Sequence, residues 1–219
     1  MITRLFINYY TSENKERQTE LNYCISKNSE NVFIDQLNIL VEKNDIKSLE
    51  RVIKLNNEKI NIIQIENIPT FKEVVNAIEN TTTIDDVNII VNSDCYLNDT
   101  ASKFKSIGAN ELWALSRYNL IDESGKTEPY HGGMTQDAWA FLGKPKKIDN
   151  IDFHFGKPGC DNRFAFETHS AGYNVINPCL DVMVIHYHIS EKRTYGNGSV
   201  REKNRINGGY KKVTPQKLQ

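Results

Sequence analysis

A short apolar segment that ends abruptly in polar residues is the part of this chain best suited to chemistry. Val87–Val91 is followed at once by Asn92, Ser93 and Asp94. An apolar run that stops at a carboxylate is typical of a buried strand that delivers an acid to its carboxyl end, where α/β proteins bind ligands. Asp94 is therefore the first candidate for chemistry. The alternative is an ordinary strand-ending turn, because Asn, Ser and Asp all favour turns.

Other acids and two histidines also have the residue types that catalysis and metal binding use. The apolar segment Val182–His188 ends in two alternating histidines, His186 and His188. Asp161 comes just before a predicted helix, and Asp137 comes just before an apolar strand. On residue type alone, the histidines are polar residues at a strand edge. The acids are then a helix N-cap and a turn or strand-edge carboxylate.

The elements that must position these residues alternate between strands and helices. Strands are predicted at 4–10, 32–34, 59–65, 87–91, 111–118, 138–142, 173–177 and 182–188, and helices at 16–27, 71–78, 100–107 and 161–171. Thr70 and Glu73 have the spacing of a capping box at the start of one helix. This order predicts an α/β fold with a mostly parallel central sheet flanked by helices. Residues 119–152 are rich in Gly, Pro and polar residues, which is typical of binding loops.

Composition and charge favour a single globular domain. The chain has 219 residues, and its 27 Lys and Arg against 28 Asp and Glu give no reason to expect nucleic-acid binding by bulk electrostatics. Its four cysteines form no C-x-x-C pair, which favours free thiols over a zinc site. No apolar stretch has the length of a signal peptide or a membrane span, so we expect a soluble cytoplasmic protein. We expect one domain over 1–190 and a basic tail over 191–219, which is mobile or becomes ordered on binding.

Six short blocks carry a likeness to a known family: Phe6–Thr11, Ile89–Asp94, Leu112–Tyr118, Thr135–Trp139, Pro158–Asn162 and His186–His188. Together they resemble the small glycosyltransferases of the GT-A fold, and among these the chlorovirus glycosyltransferase domains that decorate capsid glycans. The likeness runs from about Ile2 to His188. It implies a Rossmann-like nucleotide-binding half and an irregular acceptor-side half. A viral origin would place the protein in the host cytoplasm.

The resemblance implies a metal-assisted site at the end of the fourth predicted strand. It matches Asn92, Ser93 and Asp94 to the D-x-D element of the family, with the first acid replaced by an amide. Asp94 would then bind Mn²⁺ or Mg²⁺, and Asn92 would offer a neutral oxygen or reach a ribose hydroxyl. His188, or less favourably His186, would complete the metal site from the far end of the fold.

The resemblance also suggests donor-binding and catalytic residues. The donor-binding candidates are Asn8, Tyr9, Tyr10, Thr11, Thr70, Asn92, Ser93 and Arg117. Because strand side chains alternate, Tyr9 and Tyr10 are predicted to face opposite ways, with one packed into the core. Asp161, and next Asp137, are the candidates for the base that takes the acceptor proton in an inverting enzyme. In a retaining enzyme one of them would instead stabilise an oxocarbenium-like transition state.

The implied function is transfer of a hexose or deoxyhexose from a nucleotide diphosphate sugar, with UDP as the favoured nucleotide, to a glycan acceptor. Two other classes remain open at this stage. One is a nucleotidyltransferase that makes an activated sugar, although residues 8–14 lack the glycines that such enzymes use to hold phosphates. The other is a non-enzymatic module that binds nucleotides or glycans. Release of nucleotide diphosphate from a donor would separate the transferase from such a module.

Overall fold

The computed structural model of the chain describes residues 1–54, 57–122, 124–130, 135–190 and 203–218. Its helices are α1 (Lys15–Glu30), α2 (Ile46–Glu50), α3 (Phe71–Thr81) and α4 (Cys160–Ser170), with 3₁₀ segments at Lys43–Asp45 and Asp99–Ser106. Its strands are β1 (Thr3–Tyr9), β2 (Gln36–Glu42), β3 (Ile60–Ile65), β4 (Val87–Val91), β5 (Cys95–Leu97), β6 (Glu111–Leu115), β7 (Arg117–Leu120), β8 (Thr127–Pro129), β9 (Ala138–Leu142), β10 (Asn174–Ile176) and β11 (Val184–His186).

A seven-stranded sheet forms the centre of the fold, in the order β10-β6-β9-β4-β1-β2-β3. Strand β9 runs antiparallel to its neighbours β4 and β6, and the other neighbouring pairs are parallel. The mostly parallel sheet predicted from the alternation of elements is therefore confirmed. The carboxyl ends of β1 and β4 lie side by side at one edge of this sheet.

Strand β1 shows why this sheet needs apolar residues on both faces. Leu5 and Ile7 pack on the face covered by α1, whereas Phe6 packs on the other face with Phe71 of α3 and Phe164 of α4. The rings of Phe71 and Phe164 stack with centroids 4.2 Å apart. Because successive strand side chains alternate, a strand between two helix layers must be apolar at nearly every position.

A second sheet, in the order β5-β11-β7-β8, begins where two strands of the large sheet end. Strand β5 follows β4 directly after Asp94, and β7 follows β6 directly after Ser116. Strand β11 lies between them, antiparallel to β5 and parallel to β7. In this register His186 is paired with Cys95, the residue that follows Asp94. The small sheet thus brings the end of β11 to the carboxyl end of β4.

Helix α1 is fixed to the small sheet by two asparagines. Asn28 donates to the carbonyl oxygen of Cys95 (3.0 Å) and accepts from the backbone N–H of Leu97 (3.1 Å). Asn31 donates to the carbonyl oxygen of Leu97 at 2.9 Å. These side chains satisfy backbone groups of β5 that would otherwise be buried without partners. The helix is therefore held rigidly beside the turn that carries Asp94.

Three of the predicted elements differ from the structure. The predicted strand at 32–34 is wrong, because α1 continues to Glu30, β2 begins only at Gln36, and Val32 is 80% exposed. The predicted strand at 111–118 is two strands, broken at Ser116, whose N–H donates to Asn177 Oδ1 (3.1 Å). The helix predicted at 100–107 is a 3₁₀ helix at Asp99–Ser106. The apolar pattern alone does not report these tertiary contacts.

The described part of the C-terminal tail packs against the body of the protein. Val213 is 4% exposed, and the N–H of Lys211 donates to the carbonyl oxygen of Asn162 in α4 (3.1 Å). The N–H of Gln216 donates to the carbonyl oxygen of Asn177 (2.8 Å). The expectation of a mobile tail is therefore wrong for residues 203–218, while 191–202 and 219 lie outside the described residues. The division at residue 190 stays a prediction.

The cysteines and the helices can be compared with the composition-based expectations. All four cysteines are free, as predicted, and all four are buried. None of the helices in the described part of the chain combines the length and the apolar composition needed to cross a bilayer.

Candidate functional site

Asp94 lies in a tight turn between β4 and β5. The N–H of Cys95 donates to the carbonyl oxygen of Asn92 at 3.0 Å, which is the hydrogen bond of a four-residue turn. The carboxylate is nonetheless surrounded by side chains from other elements, and its side chain is 14% exposed. The two interpretations of this sequence, a strand-ending turn and a functional acid, therefore describe the same feature.

Two histidines approach the carboxylate of Asp94 from β11 and the residues that follow it. His186 Nε2 lies 3.2 Å from Asp94 Oδ2, and His188 Nδ1 lies 3.7 Å from the same oxygen. One ligand atom from each of the three residues lies within 4.8 Å of the other two. The histidines sit two positions apart on an extended segment, which places both rings on the same face. Among the described residues, this is the cluster that could hold a metal ion.

The donor set of this cluster fits a divalent cation. One carboxylate oxygen and two imidazole nitrogens form a mixed oxygen and nitrogen site, and the ions that bind such sites require neutral imidazoles. Burial lowers the pKa of His188, and the neighbouring charge of Arg17 lowers it further, whereas Asp94 opposes this shift. The neutral form of His188, which has a lone pair for a metal, is therefore favoured at pH 7.

The positively charged side chain of a buried arginine, Arg17, already contacts Asp94. Arg17, in the first turn of α1, places Nη2 at 2.7 Å from Asp94 Oδ2 and Nη1 at 3.1 Å from Glu20 Oε2. Burial alone would raise the pKa of Asp94, but the charges and hydrogen bonds of His186 and Arg17 hold it well below its usual value. Asp94 is therefore ionised at neutral pH. Glu20 also accepts hydrogen bonds from the N–H and hydroxyl of Ser190, at 2.6 and 3.1 Å.

Asp137 lies beside the same edge of the sheet, just before β9. Its Oδ1 accepts a hydrogen bond from Asn92 Nδ2 at 2.8 Å, and its Oδ2 lies 3.3 Å from Arg117 Nη1. The backbone N–H of Asn92 donates to the carbonyl oxygen of Asp137 at 3.0 Å. Asn92, which the resemblance matches to the first acid of a D-x-D element, is therefore occupied in holding Asp137. Arg117 is held in turn over the ring of Tyr130, 4.8 Å from its centroid.

Asp161 is the second residue of α4, and its predicted role as the N-cap is wrong. The N-cap is Gly159, which adopts φ 81°, a left-handed conformation that a glycine tolerates. Asp161 Oδ2 instead accepts a hydrogen bond from the N–H of Gln136 at 3.3 Å. Burial raises the pKa of Asp161 to about 6, backbone hydrogen bonds oppose the shift, and the charge of nearby Asp137 adds to it. The two candidate catalytic acids are thus neighbours in different electrostatic surroundings.

The donor-binding candidates at the end of β1 divide into buried and accessible residues. Tyr9 is 2% exposed, and its hydroxyl contacts Asn22 Oδ1 at 2.9 Å, whereas Tyr10 is half-buried with its hydroxyl 3.5 Å from Arg17 Nη2. The prediction that one of the two tyrosines is packed into the core is confirmed for Tyr9, whereas their opposite orientation stays a prediction. Asn8 is buried in the strand at 9% exposure.

Thr11 and Thr70 are both engaged by local contacts. Thr11 donates from its N–H and its hydroxyl to the two carboxylate oxygens of Asp45, at 3.1 and 2.5 Å. Thr70 accepts from the N–H of Glu73 (3.2 Å), and Glu73 accepts from the N–H of Thr70 (2.7 Å). The predicted capping box at the start of α3 is confirmed, and it accounts for Thr70 without a ligand. Ser93 is half-buried in the Asp94 turn.

The structure therefore forms two adjoining groups from residues that are distant in sequence. The first contains Asp94, His186, His188, Arg17 and Tyr10, and the second contains Asn92, Asp137, Arg117 and Asp161. Arg17 and Glu20 were not among the sequence candidates. At a spacing of three residues on a helix they have the pattern of an ordinary surface pair, so the sequence carries no signal of their burial.

The fold itself resembles solved glycosyltransferases. A mannosyltransferase from Pyrobaculum calidifontis, in complex with GDP-Man and Mn²⁺, matches with a TM-score of 0.56 at 13% identity, over 88% of this chain and 58% of that chain. GalNAc-T7, with UDP, GalNAc and Mn²⁺, matches with a TM-score of 0.55 at 10% identity, over 92% of this chain and 47% of that chain. This chain spans about half the length of these two proteins.

Other comparisons are weaker. The 4-diphosphocytidyl-2C-methyl-D-erythritol synthase of Anaerococcus prevotii matches with a TM-score of 0.48, too low to distinguish between function classes. No protein-family model and no curated protein matches the sequence. Identities of 10 to 13% report architecture and not activity. The architecture of this chain, a large central sheet flanked by helices with a small sheet at its carboxyl edge, is that of the GT-A fold.

Proposed function

We propose that the protein is a metal-assisted glycosyltransferase that transfers a hexose or deoxyhexose from a nucleotide diphosphate sugar to a glycan acceptor. The observation that carries the proposal is the group of Asp94, His186 and His188 at the carboxyl end of β4. The two solved structures described above are complexes with Mn²⁺ and a nucleotide or nucleotide sugar. A UDP-sugar is the favoured donor, on the likeness in sequence.

In this proposal Asp94, His186 and His188 hold Mn²⁺ or Mg²⁺, with Mn²⁺ favoured by the two imidazoles. A bound divalent cation neutralises charge on the diphosphate leaving group. The residues themselves have separate roles: Asp94 contributes the negative charge of the site, and the histidines contribute neutral donors. Glu20 holds Ser190, two residues beyond His188, and thereby fixes the segment that carries the second histidine.

Asp161 is our candidate for the base that receives the acceptor proton in an inverting enzyme. Its pKa of about 6 lies near neutral pH, where a general base is most effective. Asp137 is less suited to this role, because its oxygens already contact Asn92 and Arg117. We assign Asp137 the role of positioning, since it ties the Asp94 turn to β7 and the start of β9. In a retaining enzyme the unpaired charge of Asp161 would instead stabilise an oxocarbenium-like transition state.

The donor-binding set can be narrowed by the contacts each residue makes. Tyr10, Thr11 and Ser93 are the candidates that remain partly accessible near the end of β1 and the Asp94 turn. Asn8 and Tyr9 are buried, and Thr70 caps a helix, so we give these three a structural role. Asn92 and Arg117 act on the donor only through the position of Asp137 and the turn.

A thermal-shift panel of UDP- and GDP-sugars, with and without Mn²⁺, tests the proposal. A donor at 100 times its Kd stabilises the folded state by about 2.7 kcal/mol by mass action, and the shift should require the metal. Slow release of nucleotide diphosphate from the same donor then separates an enzyme from a binding module. No stabilisation by any nucleotide, with or without metal, would contradict the proposed function.

A further inference from the structure

Arg17 competes for the oxygen that a cation in this site needs. Three groups converge on Asp94 Oδ2: Arg17 Nη2 at 2.7 Å, His186 Nε2 at 3.2 Å and His188 Nδ1 at 3.7 Å. The guanidinium is the nearest of the three, and it carries a permanent positive charge. A divalent cation bound by Asp94 and the histidines would lie against that charge. Binding of the cation therefore has to loosen the contact between Arg17 and Asp94.

Arg17 has a second anchor and an unused donor. Its Nη1 donates to Glu20 Oε2 at 3.1 Å, so the guanidinium stays held at α1 when the contact with Asp94 is lost. Its Nε is buried and has no acceptor among the described residues. A guanidinium has five N–H donors arranged to bind oxyanions, phosphate above all. Its side chain is 8% exposed, a setting in which charge-assisted hydrogen bonds are strong.

We propose that Arg17 exchanges partners within the site. It binds Asp94 when the divalent metal ion is absent, and it binds the diphosphate of the donor when the metal ion is bound to Asp94. This inference rests on the proposed function, and it adds a residue and an order of events to it. In the site without ligands, the Arg17 guanidinium of α1 contacts Asp94 in the place of the metal. In the site with ligands, the same guanidinium and the metal both bind the diphosphate.

The exchange makes metal and diphosphate binding interdependent. Diphosphate draws Arg17 away from Asp94 and so improves the metal site, and metal on Asp94 frees Arg17 for the phosphate. Thermodynamic linkage requires that each ligand strengthens the other by the same factor. Direct contact between metal and diphosphate adds to this factor in any such enzyme, so the part due to Arg17 is isolated only by comparing variants.

Isothermal titration of the full chain with Mn²⁺ alone, UDP in EDTA, and Mn²⁺ in the presence of UDP provides the test. In R17M, Mn²⁺ alone should bind about tenfold more tightly, since the loss of one hydrogen bond to a charged group removes its competitor. UDP in EDTA should bind about tenfold more weakly, because its cationic partner is gone. The factor by which UDP strengthens Mn²⁺ binding should therefore fall.

The opposite signs separate this exchange from a merely structural role. If the role of Arg17 were only structural, the R17M substitution would weaken the binding of both Mn²⁺ and UDP. Unchanged or weaker binding of Mn²⁺ alone by R17M overturns the inference. If the loss of the cation beside Glu20 prevents R17M from folding, the variant R17Q, whose neutral amide can still donate to Glu20, is held to the same criterion. Wild-type protein that binds neither Mn²⁺ nor UDP overturns the proposed function as well, whereas failure of the R17M result alone leaves that function standing.

Arg4 provides a matched control. It forms a comparable buried pair with Asp86, at 3.0 Å, beside the opposite ends of β1 and β4. R4M also removes an arginine from a buried carboxylate, but at a distance from the proposed site along the strands. Affinities for Mn²⁺ and UDP should be unchanged in folded R4M. Changes that match those of R17M would show a general effect of lost stability and would count against the exchange.

Discussion

The large sheet has a buried aspartate paired with an arginine at the amino ends of β1 and β4, here called the amino edge, and another at their carboxyl ends, the carboxyl edge. The two pairs are built differently. At the amino edge, Asp86 accepts from the backbone N–H groups of Ile2 (3.1 Å) and Thr83 (2.9 Å) and from Arg4 Nε (3.0 Å). At the carboxyl edge, the contacts that described residues make with the carboxylate of Asp94 come from side chains. Backbone donors cannot leave without unfolding, whereas side chains can turn to another partner. The first pair holds the ends of its strands together, and the second has contacts that can be exchanged, as the proposed function requires.

The largest expected effect follows from breaking the pair at the amino edge. D86A leaves the charge of Arg4 and two backbone N–H groups without their acceptor, at a site where Asp86 is 3% exposed in its side chain. We expect the free energy of unfolding to fall by about 3 to 5 kcal/mol. Denaturant unfolding measures this loss. If D86A is as stable as the wild type, the amino edge does not have the structural role given to it here.

At the carboxyl edge, D94A should change ligand binding more than folding. Removal of the carboxylate takes away the charged ligand of the proposed metal site. Loss of a residue that only supports a metal ligand costs up to about 100-fold in affinity, so we expect loss of the ligand itself to weaken metal-dependent binding of the donor by at least that factor. Manganese titration with a nucleotide sugar measures this change. D86A, where it folds, serves as the control, and unchanged manganese dependence in D94A would remove Asp94 from the site.

Asp161 should reverse the pH dependence that paired acids confer. Its pKa is raised to about 6 in the folded state, so the folded protein binds more protons than the unfolded chain between about pH 4 and 6. Stability should therefore fall by about 2 to 3 kcal/mol as the pH rises through this range, whereas the lowered pKa values of Asp86 and Asp94 make their contributions decline as the pH falls.

The variant D161N isolates this contribution. It should remove the decline in stability between pH 4 and 6, and it should abolish the acid limb near pH 6 in the profile of transfer rate against pH. Denaturant unfolding at several pH values and initial-rate measurements provide the two readouts. D137N is the matched variant, and an acid limb that disappears in D137N but persists in D161N would exchange the roles of these two residues.

The smallest expected effect concerns Asn92. The variant N92D restores the first acid of a D-x-D element, but it places a carboxylate where Asn92 Nδ2 now donates to Asp137 Oδ1 at 2.8 Å. We expect a loss of about 1 to 3 kcal/mol in stability from the lost hydrogen bond and the repulsion, with no gain in manganese affinity. Unfolding and titration experiments check both. Tighter manganese binding in N92D would contradict this expectation, because it would show that the amide of Asn92 weakens the metal site.

The elements that the sequence predicts well are those with local signals. The capping box at Thr70 and the buried strand Val87–Val91 both depend on neighbours in the sequence, and both are confirmed. The small sheet is predicted only in part: β11 lies inside the predicted strand at 182–188, whereas β5 is three residues long and has no local signal, because it exists through its pairing with β11. The same reason explains why the single predicted strand at 111–118 is divided.

The candidate site divides in the same way. Its acids and histidines could be selected by residue type, and the proximity of Asp94 to His186 and His188 could be expected only from the family resemblance. The partners that set their electrostatics could not be selected. Arg17 is three residues from Glu20 on a polar helix, and its other contacts come from Asp94 and, through Glu20, from the segment at Ser190. Helical periodicity reports the apolar face of a helix, but it does not report which charged residues are covered by other elements.

The position of β11 between β5 and β7 also has a consequence for the order in which the molecule is assembled. Among the described residues, the last strand of the large sheet ends at Ile176, whereas the histidines that face Asp94 come at 186 and 188, more than 90 residues after Asp94. A chain folding from its amino end can complete its main scaffold before either histidine is in place. The closing of β11 would then be a late, long-range step, and the proposed metal site would be complete only after it.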